Sequence, residues 1–521
     1  MGAARRAGLA GAGRRARLVP TTRTAPMHEL LIQGGRVIDP GSRRDEVCDV
    51  AVAQGRIAAV GHGLGPAART IDARGLVVAP GFIDLHAHGQ SLPADRMQAF
   101  DGVTTTLELE AGALPVDGWY AEQARRGRTL NYGCAVNWIT ARIAVMNRVA
   151  PENGLSFMAK HAADRRWADA VASDEEVAAM VAMLRAGLAE GGIGIGVLNA
   201  YAPGSGVKEM TAVCELAAEL GVPTYTHVAF MANEDPESSI EAYTRLVGYA
   251  GTTGAHMHIC HFNSTSMMDA ELAARLVATA QRQGLRVTTE AYPYGTGSTL
   301  MSAAFFRDPE FARRGGRDWS ALEVLDTGRR FEKHEDVLRA QAQDPGAIVL
   351  WHFLDTDANQ RHREILDASV LFPGGAIASD AMPWTQPDGS VYEGDAWPLP
   401  EGMSSHPRSS GTFTRFLARW VRERRAMSLL DGLAKCTLIP AQILGESTPV
   451  MRAKGRLQAG CDADIVVFDW ERLEDRATFR AMNQAAVGMR HVLVHGEAVV
   501  EAGELVRDAR PGRPVRRPRA P

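Results

Sequence analysis

Two histidines separated by one residue stand at the end of a predicted strand, within the sequence APGFIDLHAHG of residues 79–89. Alternate side chains of an extended strand share one face, so His86 and His88 are predicted to point in the same direction. Imidazole nitrogen is a preferred ligand of zinc and similar divalent ions. The pair therefore predicts a portion of a metal site, and the alternative is two ordinary, half-buried histidines.

Two glutamates occupy a similar place in the next predicted strand, GVTTTLELEAG. Glu108 and Glu110 fall on one face, while Leu107 and Leu109 fall on the opposite face, which we expect to pack against helices. Both carboxylates should then point into the interior, where a buried carboxylate needs a metal or a cationic partner. We expect one of them to bind a metal, and the alternative is an ion pair with an arginine.

Three further residues each end a predicted apolar strand, namely His227, His261 and Asp380. Enzymes built on α/β barrels carry their sites at this end of the strands. His256 and His258 compete with His261, although His258 lies on the opposite face of a straight strand. A carboxylate at position 380 can bind a metal and also transfer a proton, while its alternative role is a helix N-cap.

Alternating strand and helix patterns must position these residues. Helical periodicity is predicted over residues 175–190 and 209–220, and strands over residues 193–198, 222–227, 256–261, 285–291, 348–353 and 376–379. Repeated βα units favour a parallel sheet, and eight of them close a (β/α)8 barrel. Short strands separated by glycine turns occur near both chain ends and predict a small β-sandwich domain. The predicted organisation is a disordered basic tail (1–26), an N-terminal β-sandwich segment (27–78), the barrel (79–440), a C-terminal β-sandwich segment (441–510) and a second disordered tail (511–521).

The composition is that of a globular protein and excludes several functional classes. Hydrophobic residues make up 45% of the 521 residues, yet the apolar runs are too short for a transmembrane helix. The net charge is −4 although residues 1–26 contain six arginines and no acidic residue, so the remaining chain is acidic, which argues against nucleic-acid binding. The six cysteines form no CxxC pair and no secretory signal is visible, so we expect a cytoplasmic protein.

The phrase PGFID before the two histidines resembles the first-strand metal signature of the amidohydrolase superfamily. Three further stretches resemble the N-acyl-D-amino-acid deacylases, or D-aminoacylases, and these are EAYPYGTGST (290–299), HPRSSGTFTRFL (406–417) and GRLQAGCDADIVVFD (455–469). The resemblance runs from about residue 27 to residue 501 and implies a metal-dependent (β/α)8 TIM-like barrel that binds one or two Zn²⁺ ions. The implied metal ligands are His86, His88, Glu110 or Glu108, His227, His261 and Asp380.

The same resemblance implies that Arg408 binds the substrate carboxylate, with assistance from Tyr294 or Tyr292. Two positions depart from the family pattern. Glu110 and Ala111 stand where these enzymes typically have a cysteine ligand, and a carboxylate can replace that thiolate. Asn263 replaces the lysine that helps to hold the substrate carboxylate, and we keep it as a candidate substrate contact. A lysine of the hydantoinase type is also not seen after the strand at residues 193–198.

The implied activity is hydrolysis of an N-acyl-D-amino acid to a carboxylate and a D-amino acid, with Asp380 moving the proton from water to the leaving nitrogen. One alternative is an amidohydrolase that cleaves a cyclic amide or a dipeptide, as dihydroorotases and hydantoinases do. A second alternative is a non-catalytic barrel scaffold, which the retained histidines and Asp380 argue against. The expected partner is a small-molecule substrate rather than nucleic acid or a membrane, and the sequence leaves a homo-oligomer open.

Overall fold

The computed structural model describes residues 28–154 and 156–519, so the predicted tail at residues 1–26 lies outside the described residues. The chain forms a nine-stranded sheet, an eight-stranded parallel barrel and a three-stranded sheet. Within the described residues, no helix combines the length and the apolar character needed to cross a membrane.

The strands and helices follow each other in the order expected for repeated βα units. The strands are β1 (His28–Asp39), β2 (Arg44–Ala53), β3 (Arg56–Gly61), β4 (Ala67–Asp72), β5 (Val77–Pro80), β6 (Phe82–Asp84), β7 (Val103–Ala113), β8 (Asn131–Asn137), β9 (Ile195–Leu198), β10 (Pro223–His227), β11 (His256–Ile259), β12 (Val287–Ala291), β13 (Gly297–Leu300), β14 (Leu322–Val324), β15 (Ile348–Trp351), β16 (Ala376–Ile377), β17 (Ile465–Phe468), β18 (Met489–Val494), β19 (Glu497–Glu501) and β20 (Glu504–Leu505). The α-helices are α1 (Leu92–Phe100), α2 (Val116–Arg126), α3 (Trp138–Met146), α4 (Ser156–Lys160), α5 (Arg166–Asp169), α6 (Asp174–Ala189), α7 (Val207–Glu219), α8 (Ser239–Thr253), α9 (Phe262–Ser266), α10 (Ala270–Arg282), α11 (Phe311–Arg314), α12 (His334–Gln343), α13 (Gln360–Val370), α14 (Arg408–Arg415), α15 (Leu429–Cys436) and α16 (Leu438–Gly445).

The nine-stranded sheet unites the two ends of the chain, as expected. Strand β5 pairs in parallel with β1 and antiparallel with β17, so the N-terminal and C-terminal strands share one sheet. Strand β1 first pairs with β4 and then with β5, and its register with β2 shifts between Ile32 and Gly35. A Cβ atom at Gly35 would lie 2.5 Å from the side chain of Val78. Glycine is therefore required where β1 changes its partner.

The eight parallel strands lie in the order β6, β7, β8, β9, β10, β11, β12, β16, which confirms the predicted (β/α)8 barrel. The two outer strands nearly close the ring, because the backbone N–H of His88 donates to the carbonyl of Ala381 at 2.7 Å just beyond them. This closing contact brings two of the candidate site residues, His88 and Asp380, to the same rim of the barrel.

One predicted barrel strand was wrong, and one real barrel strand was missed. The apolar run at residues 348–353 forms β15, which pairs antiparallel with β13 and β14 in the separate three-stranded sheet. The eighth strand of the barrel is instead β8, which lies between β7 and β9. Its sequence NYGCAVN mixes polar and small residues. An apolar run predicts a buried strand but does not specify its partner strand.

The expected orientation of strand β7 was also only partly right. Leu107 and Leu109 belong to an interior cluster with Ile83, Tyr225 and Ala376 from three other barrel strands, to which helix α16 also contributes residues. The pairing of β7 with β8 shifts register between Glu108 and Ala113, so simple alternation fails there. The irregular end of β7 allows Glu110 to reach the barrel centre although its neighbour Leu109 is also interior.

The predicted tail at residues 511–521 is not free over the residues that the structure describes. The backbone N–H of Val515 donates to the carbonyl of Tyr132 at 2.7 Å, and Tyr132 donates to the carbonyl of Arg513 at 3.1 Å. Val515 is buried in the interior cluster of the barrel. The segment has no core of its own, but it covers the N-terminal end of the barrel by pairing its backbone with β8.

A buried ion network joins the terminal sheet to the barrel. Lys454 Nζ contacts the carboxylates of Asp464 at 2.6 Å and Asp462 at 3.0 Å, and Asp464 also accepts a hydrogen bond from Asn131 at the start of β8. Burial raises the pKa of Asp464, but the ammonium of Lys454 outweighs this effect and lowers the pKa below its ordinary value of 3.8. The ionised carboxylate is therefore an integral element of the folded structure.

We expect Asp464→Asn to lower the free energy of unfolding by about 3 kcal/mol near neutral pH, because the buried ammonium of Lys454 would lose one of its carboxylate partners. A lowered pKa in the folded state stabilises the protein above pH 3.8, and this contribution disappears as the pH falls below that value. The difference between wild type and variant in urea unfolding should therefore shrink in acid. Asp45→Asn, which breaks the exposed pair with Arg36, is the control and should cost at most about 1 kcal/mol. An equal cost for both variants would contradict the assignment.

Candidate active site

The carboxylate of Glu110 lies between two pairs of histidines at the centre of the barrel rim. Its Oε2 atom is 3.3 Å from His86 Nε2 and 3.5 Å from His88 Nε2. Its Oε1 atom is 3.1 Å from His227 Nδ1 and 2.7 Å from His261 Nε2. Each carboxylate oxygen thus faces one pair of imidazoles, and a metal ion bound at each pair would be bridged by Glu110. The described donors that lie within 4.8 Å of one another include His86, His88 and Asp380 in one group and His86, Glu110 and His261 in another.

Asp380 lies beside the first pair of histidines. Its Oδ1 atom is 3.5 Å from both His86 Nε2 and His88 Nε2, and these two ring nitrogens are 3.2 Å apart. The structure therefore brings together six of the predicted site residues, including His227 and His261 on the second side of Glu110. Their roles as metal ligands stay predictions.

The charges of the cluster show why it suits a metal ion. Burial lowers the pKa of His88, but the carboxylates of Glu108 and Glu110 outweigh it and raise this pKa to about 10. Burial raises the pKa of Glu110, but the imidazoles of His261 and His86 bring it well below its ordinary value. Ionised carboxylates among buried imidazoles call for positive charge at their centre. A divalent cation supplies that charge, and nitrogen and oxygen donors in this number fit one or two Zn²⁺ ions.

Two of the site residues have backbone conformations that side chains rarely adopt. His261 has a φ of 33° and Asp380 has a φ of 51°, both in the left-handed region. The strand end at Asp380 is held by its neighbour Ser379, whose backbone N–H donates to the carboxylate of Asp84 at 2.9 Å. Such strained residues cluster at functional sites, where the surrounding structure fixes them. In these conformations His261 contacts Glu110, and Asp380 faces His86 and His88.

Carboxylates outside the cluster orient the first two histidines. Glu108 accepts from His88 Nδ1 at 3.0 Å, so it lies behind His88 and not at the centre. Glu290, which the sequence analysis did not single out, contacts His86 Nδ1 at 2.5 Å. His258 approaches the other oxygen of Glu290 at 3.2 Å and is thus removed from the centre, so His261 and not His258 faces Glu110. These contacts leave the Nε2 atoms of His86 and His88 directed at the centre.

Three unpartnered polar groups lie beside the cluster. Arg408 pairs with Asp380 Oδ2 at 2.8 Å through Nη2, while its buried Nη1 atom has no hydrogen-bond partner. Its guanidinium stacks on the ring of Tyr292, and the hydroxyl groups of Tyr292 and Ser298 also lack a partner. Buried donors without partners are rare in folded proteins, so these three point to a ligand. Sequence reasoning missed Ser298, although it lies within the stretch EAYPYGTGST.

Two candidate substrate contacts lie elsewhere. The amide of Asn263 donates to the carbonyls of Tyr292 and Tyr294 at 3.1 Å each, so it shapes the loop that carries both tyrosines. The hydroxyl of Tyr294 donates to the carbonyl of Gly411 at 3.4 Å, and its ring stacks on Arg415. Neither Asn263 nor Tyr294 borders the cavity at the cluster. Asn263 thus supports this loop from within.

A cavity of about 70 Å³ lies directly over the cluster, and we call it the first cavity. It is bordered by His88, Glu110, His227, His261 and Asp380 on one side and by Tyr292 and Ser298 on another. Its remaining wall is mostly apolar and includes Leu300, Phe305, Phe306, Phe311 and Trp351. Sequence reasoning missed this wall, because it comes from the three-stranded sheet and the short helices after β13.

The central place of Glu110 predicts how zinc binding responds to substitution. Glu110→Gln should abolish loading of the position at His227 and His261, because a neutral amide cannot bridge the two positions. Glu108→Gln should keep the zinc stoichiometry and weaken the affinity by about 10–100-fold, as for other carboxylates that orient a ligating histidine. Zinc per chain after dialysis against a metal buffer measures both effects.

Glu323→Gln is the matched control, because Glu323 contacts His352 at 3.2 Å away from the cluster. It should leave zinc binding unchanged. Wild-type stoichiometry in Glu110→Gln would refute the bridging role.

The chain is similar to proteins of one known family. The model of the amidohydrolase family matches residues 69–273 and 262–500. The chain is 29% identical over 514 residues to the N-acyl-D-glutamate deacylase of Alcaligenes xylosoxydans xylosoxydans, covering 94% of this chain and 96% of the relative. It is 27% identical over 502 residues to the D-aminoacylase of the same organism, covering 90% and 94%.

A solved structure gives the same fold. The N-acyl-D-glutamate deacylase of Bordetella bronchiseptica, complexed with zinc and a phosphonate inhibitor that mimics the tetrahedral intermediate, superposes with a TM-score of 0.74 at 24% identity. The match covers 94% of this chain and all of that protein. Because the family model matches well over half of the chain, this protein belongs to the amidohydrolase family.

Proposed function

We propose that the protein hydrolyses the amide bond of N-acyl-D-amino acids and releases a carboxylate and a D-amino acid. One observation carries the proposal: the cavity bordered by the cluster around Glu110 is also bordered by Tyr292 and Ser298, whose hydroxyls have no partner, and the unpartnered Nη1 of Arg408 lies against the ring of Tyr292. The cluster suits amide hydrolysis, and the unpartnered groups suit a substrate with a free carboxylate. The names of the relatives, N-acyl-D-glutamate deacylase and D-aminoacylase, support this choice within the family.

Asp380 is the proposed proton carrier. When bound, a divalent ion such as Zn²⁺ supplies polarisation of the amide carbonyl and a lowered pKa for the attacking water. Asp380 Oδ1 faces the centre of the cluster, while Oδ2 is held by Arg408 at 2.8 Å. Asp380 therefore keeps one oxygen free to take the proton from water. It then delivers that proton to the leaving nitrogen, which cannot depart as an anion.

Arg408, Tyr292 and Ser298 are the proposed binding groups for the α-carboxylate. Arg408 is fixed because Nε donates to the carbonyl of Asp380 at 2.6 Å, which leaves Nη1 as its free donor. The guanidinium and two hydroxyls would give the carboxylate three donors, one of them charged. Held there, the substrate has its amide bond over Glu110 and Asp380, and correct placement contributes much of the rate enhancement in catalysis.

The wall of the first cavity favours an apolar amino-acid side chain. Phe305, Phe311, Trp351 and Leu300 border it, and neither lysine nor arginine is among the described residues that border it; Arg408 lies behind Tyr292 and Asp380 and is assigned to the α-carboxylate. An acidic side chain would lie unpaired beside Glu110 and Asp380, which costs free energy in a buried place. We therefore propose substrates with apolar D side chains rather than the D-glutamate in the name of one relative.

The proposed setting is the cytoplasm, with a small molecule as the partner. All six cysteines are free thiols and five of them are buried, which suits a reducing compartment. The acidic chain supports the absence of nucleic acid among its partners.

A panel of N-acetyl amino acids in D and L forms tests the activity, with release of free amine as the measurement. We expect turnover of N-acetyl-D-leucine and little of its L form or of N-acetyl-D-glutamate. Asp380→Asn should lower kcat by about 10²–10⁴-fold, the usual contribution of a positioned acid–base group. Turnover of a cyclic amide but of no acylated amino acid would instead support the hydantoinase-like alternative. The absence of both turnover and bound metal would support the scaffold.

Substitution of Tyr292 and substitution of Tyr294 should have different effects on KM. Tyr292→Phe should raise KM for N-acetyl-D-leucine by about 10–100-fold, because a hydrogen bond to a charged group contributes about 1.5–3 kcal/mol. Tyr294→Phe is the matched control, since its hydroxyl donates to the carbonyl of Gly411 and not into the cavity. Equal effects of the two substitutions on KM would contradict the proposed carboxylate site.

A further inference from the structure

A second cavity adjoins the first on the side of His88. It measures about 530 Å³, against about 70 Å³ for the first cavity. The two cavities share the residues His88, Ala111, Met158 and Leu198, so they meet at the edge of the cluster around Glu110. The second cavity then extends between helix α2, the end of α3 nearest β8 and the loop around Val391.

The first cavity is narrow beside the second, at about 70 Å³ against about 530 Å³. A bulky group on the substrate therefore has more room in the second cavity than in the first. The second cavity is the adjoining space that also borders a residue of the cluster, His88.

The positions of the binding groups decide which half of the substrate lies in which cavity. Tyr292 and Ser298, the proposed carboxylate contacts, border the first cavity and not the second. The amino-acid half therefore lies in the first cavity. With the amide bond over Glu110 and Asp380, the acyl half points past His88 into the second cavity.

The lining of the second cavity indicates the chemistry of the acyl group. It includes Gln90, Asn137, Thr140, Asn153 and Ser156, all neutral hydrogen-bonding residues, beside the apolar Trp119 and Ile139. Three carboxylates also border it, and its arginine, Arg126, is paired with two of them, Glu122 and Glu393. Because Arg126 is already paired with carboxylates, a negatively charged acyl group is disfavoured here. The amides of Gln90 and Asn153 bond within the protein, so Thr140 and Ser156 are the lining residues assigned to a neutral, hydrogen-bonding acyl group.

We propose that the second cavity is an acyl-binding compartment for neutral, hydrogen-bonding acyl groups about as large as an amino-acid residue. The inference rests on the proposed deacylase function and deepens it, because it assigns a region of the chain outside the metal-donor cluster to recognition of the acyl half. Acetyl would then fill only a small fraction of the available space.

A series of D-leucine substrates that differ only in the acyl group tests this assignment. The groups are acetyl, acetylglycyl, hexanoyl and succinyl, of which the last three have similar lengths but are neutral polar, apolar and anionic. Acetylglycyl should give the highest kcat/KM, exceeding acetyl by about tenfold or more, since each well-placed group in a binding pocket contributes about 10-fold or more. Succinyl should give the lowest value of the three long groups.

Two substitutions at the rim then test the location. Gly118 in α2 and Val391 both border the second cavity and both are exposed, so Gly118→Trp and Val391→Trp can fill it without disturbing the core. Each should lower kcat/KM for acetylglycyl-D-leucine at least about tenfold and leave that for acetyl-D-leucine within about twofold. Gly248→Trp in α8 and Val207→Trp in α7 are matched controls on exposed positions away from the cavity.

The outcomes separate this inference from the function on which it rests. Turnover of acetyl-D-leucine with no gain for acetylglycyl would overturn the compartment and keep the deacylase. A gain that survives both tryptophan substitutions would overturn its location. Failure of every substrate with zinc bound would overturn both proposals.

Discussion

The structure depends on one electrostatic constraint, which is the placement of ionised carboxylates among buried imidazoles at the rim of the barrel. Glu110 touches four histidine rings, and Asp380 touches two of them. Lone pairs and negative charges that converge in this way repel each other unless a cation lies between them. The barrel holds these groups together before any ion binds, so the donor atoms for a divalent ion are preorganised.

Much of the surrounding structure serves to hold that arrangement. The contact between His88 and Ala381 nearly closes the barrel at the same point where Asp380 enters the site. Glu290 and Glu108 fix the rings of His86 and His88 from behind. At the opposite end, the backbone pairing of Val515 with β8 covers the barrel, and the network around Lys454 ties the terminal sheet to it. The apolar wall of the first cavity comes from segments inserted between β12 and β16, where the substrate side chain would lie.

The sequence predicted the barrel and the residues of the cluster because both leave local signals. A histidine or carboxylate at the end of an apolar strand can be predicted from the sequence of that strand alone, and parallel topology brings such strand ends together. The sequence could not predict that Glu110 rather than Glu108 lies at the centre of the cluster, because this depends on a register shift in β7 that breaks the two-residue alternation. The role of Asn263 and the partner strands of β15 were not readable either, because they depend on contacts between distant segments. Glu290 left a weaker signal, since it stands in a recognised stretch and was not considered as a partner for His86.

The central claim is that the carboxylate of Glu110 joins two metal positions. The most direct test is an anomalous difference map from crystals grown with Zn²⁺, recorded on both sides of the zinc absorption edge. The account predicts density within bonding distance, about 2.0–2.2 Å, of a Glu110 oxygen and of the facing histidine nitrogens. Zinc density bound only to histidines, with Glu110 turned away, would contradict it.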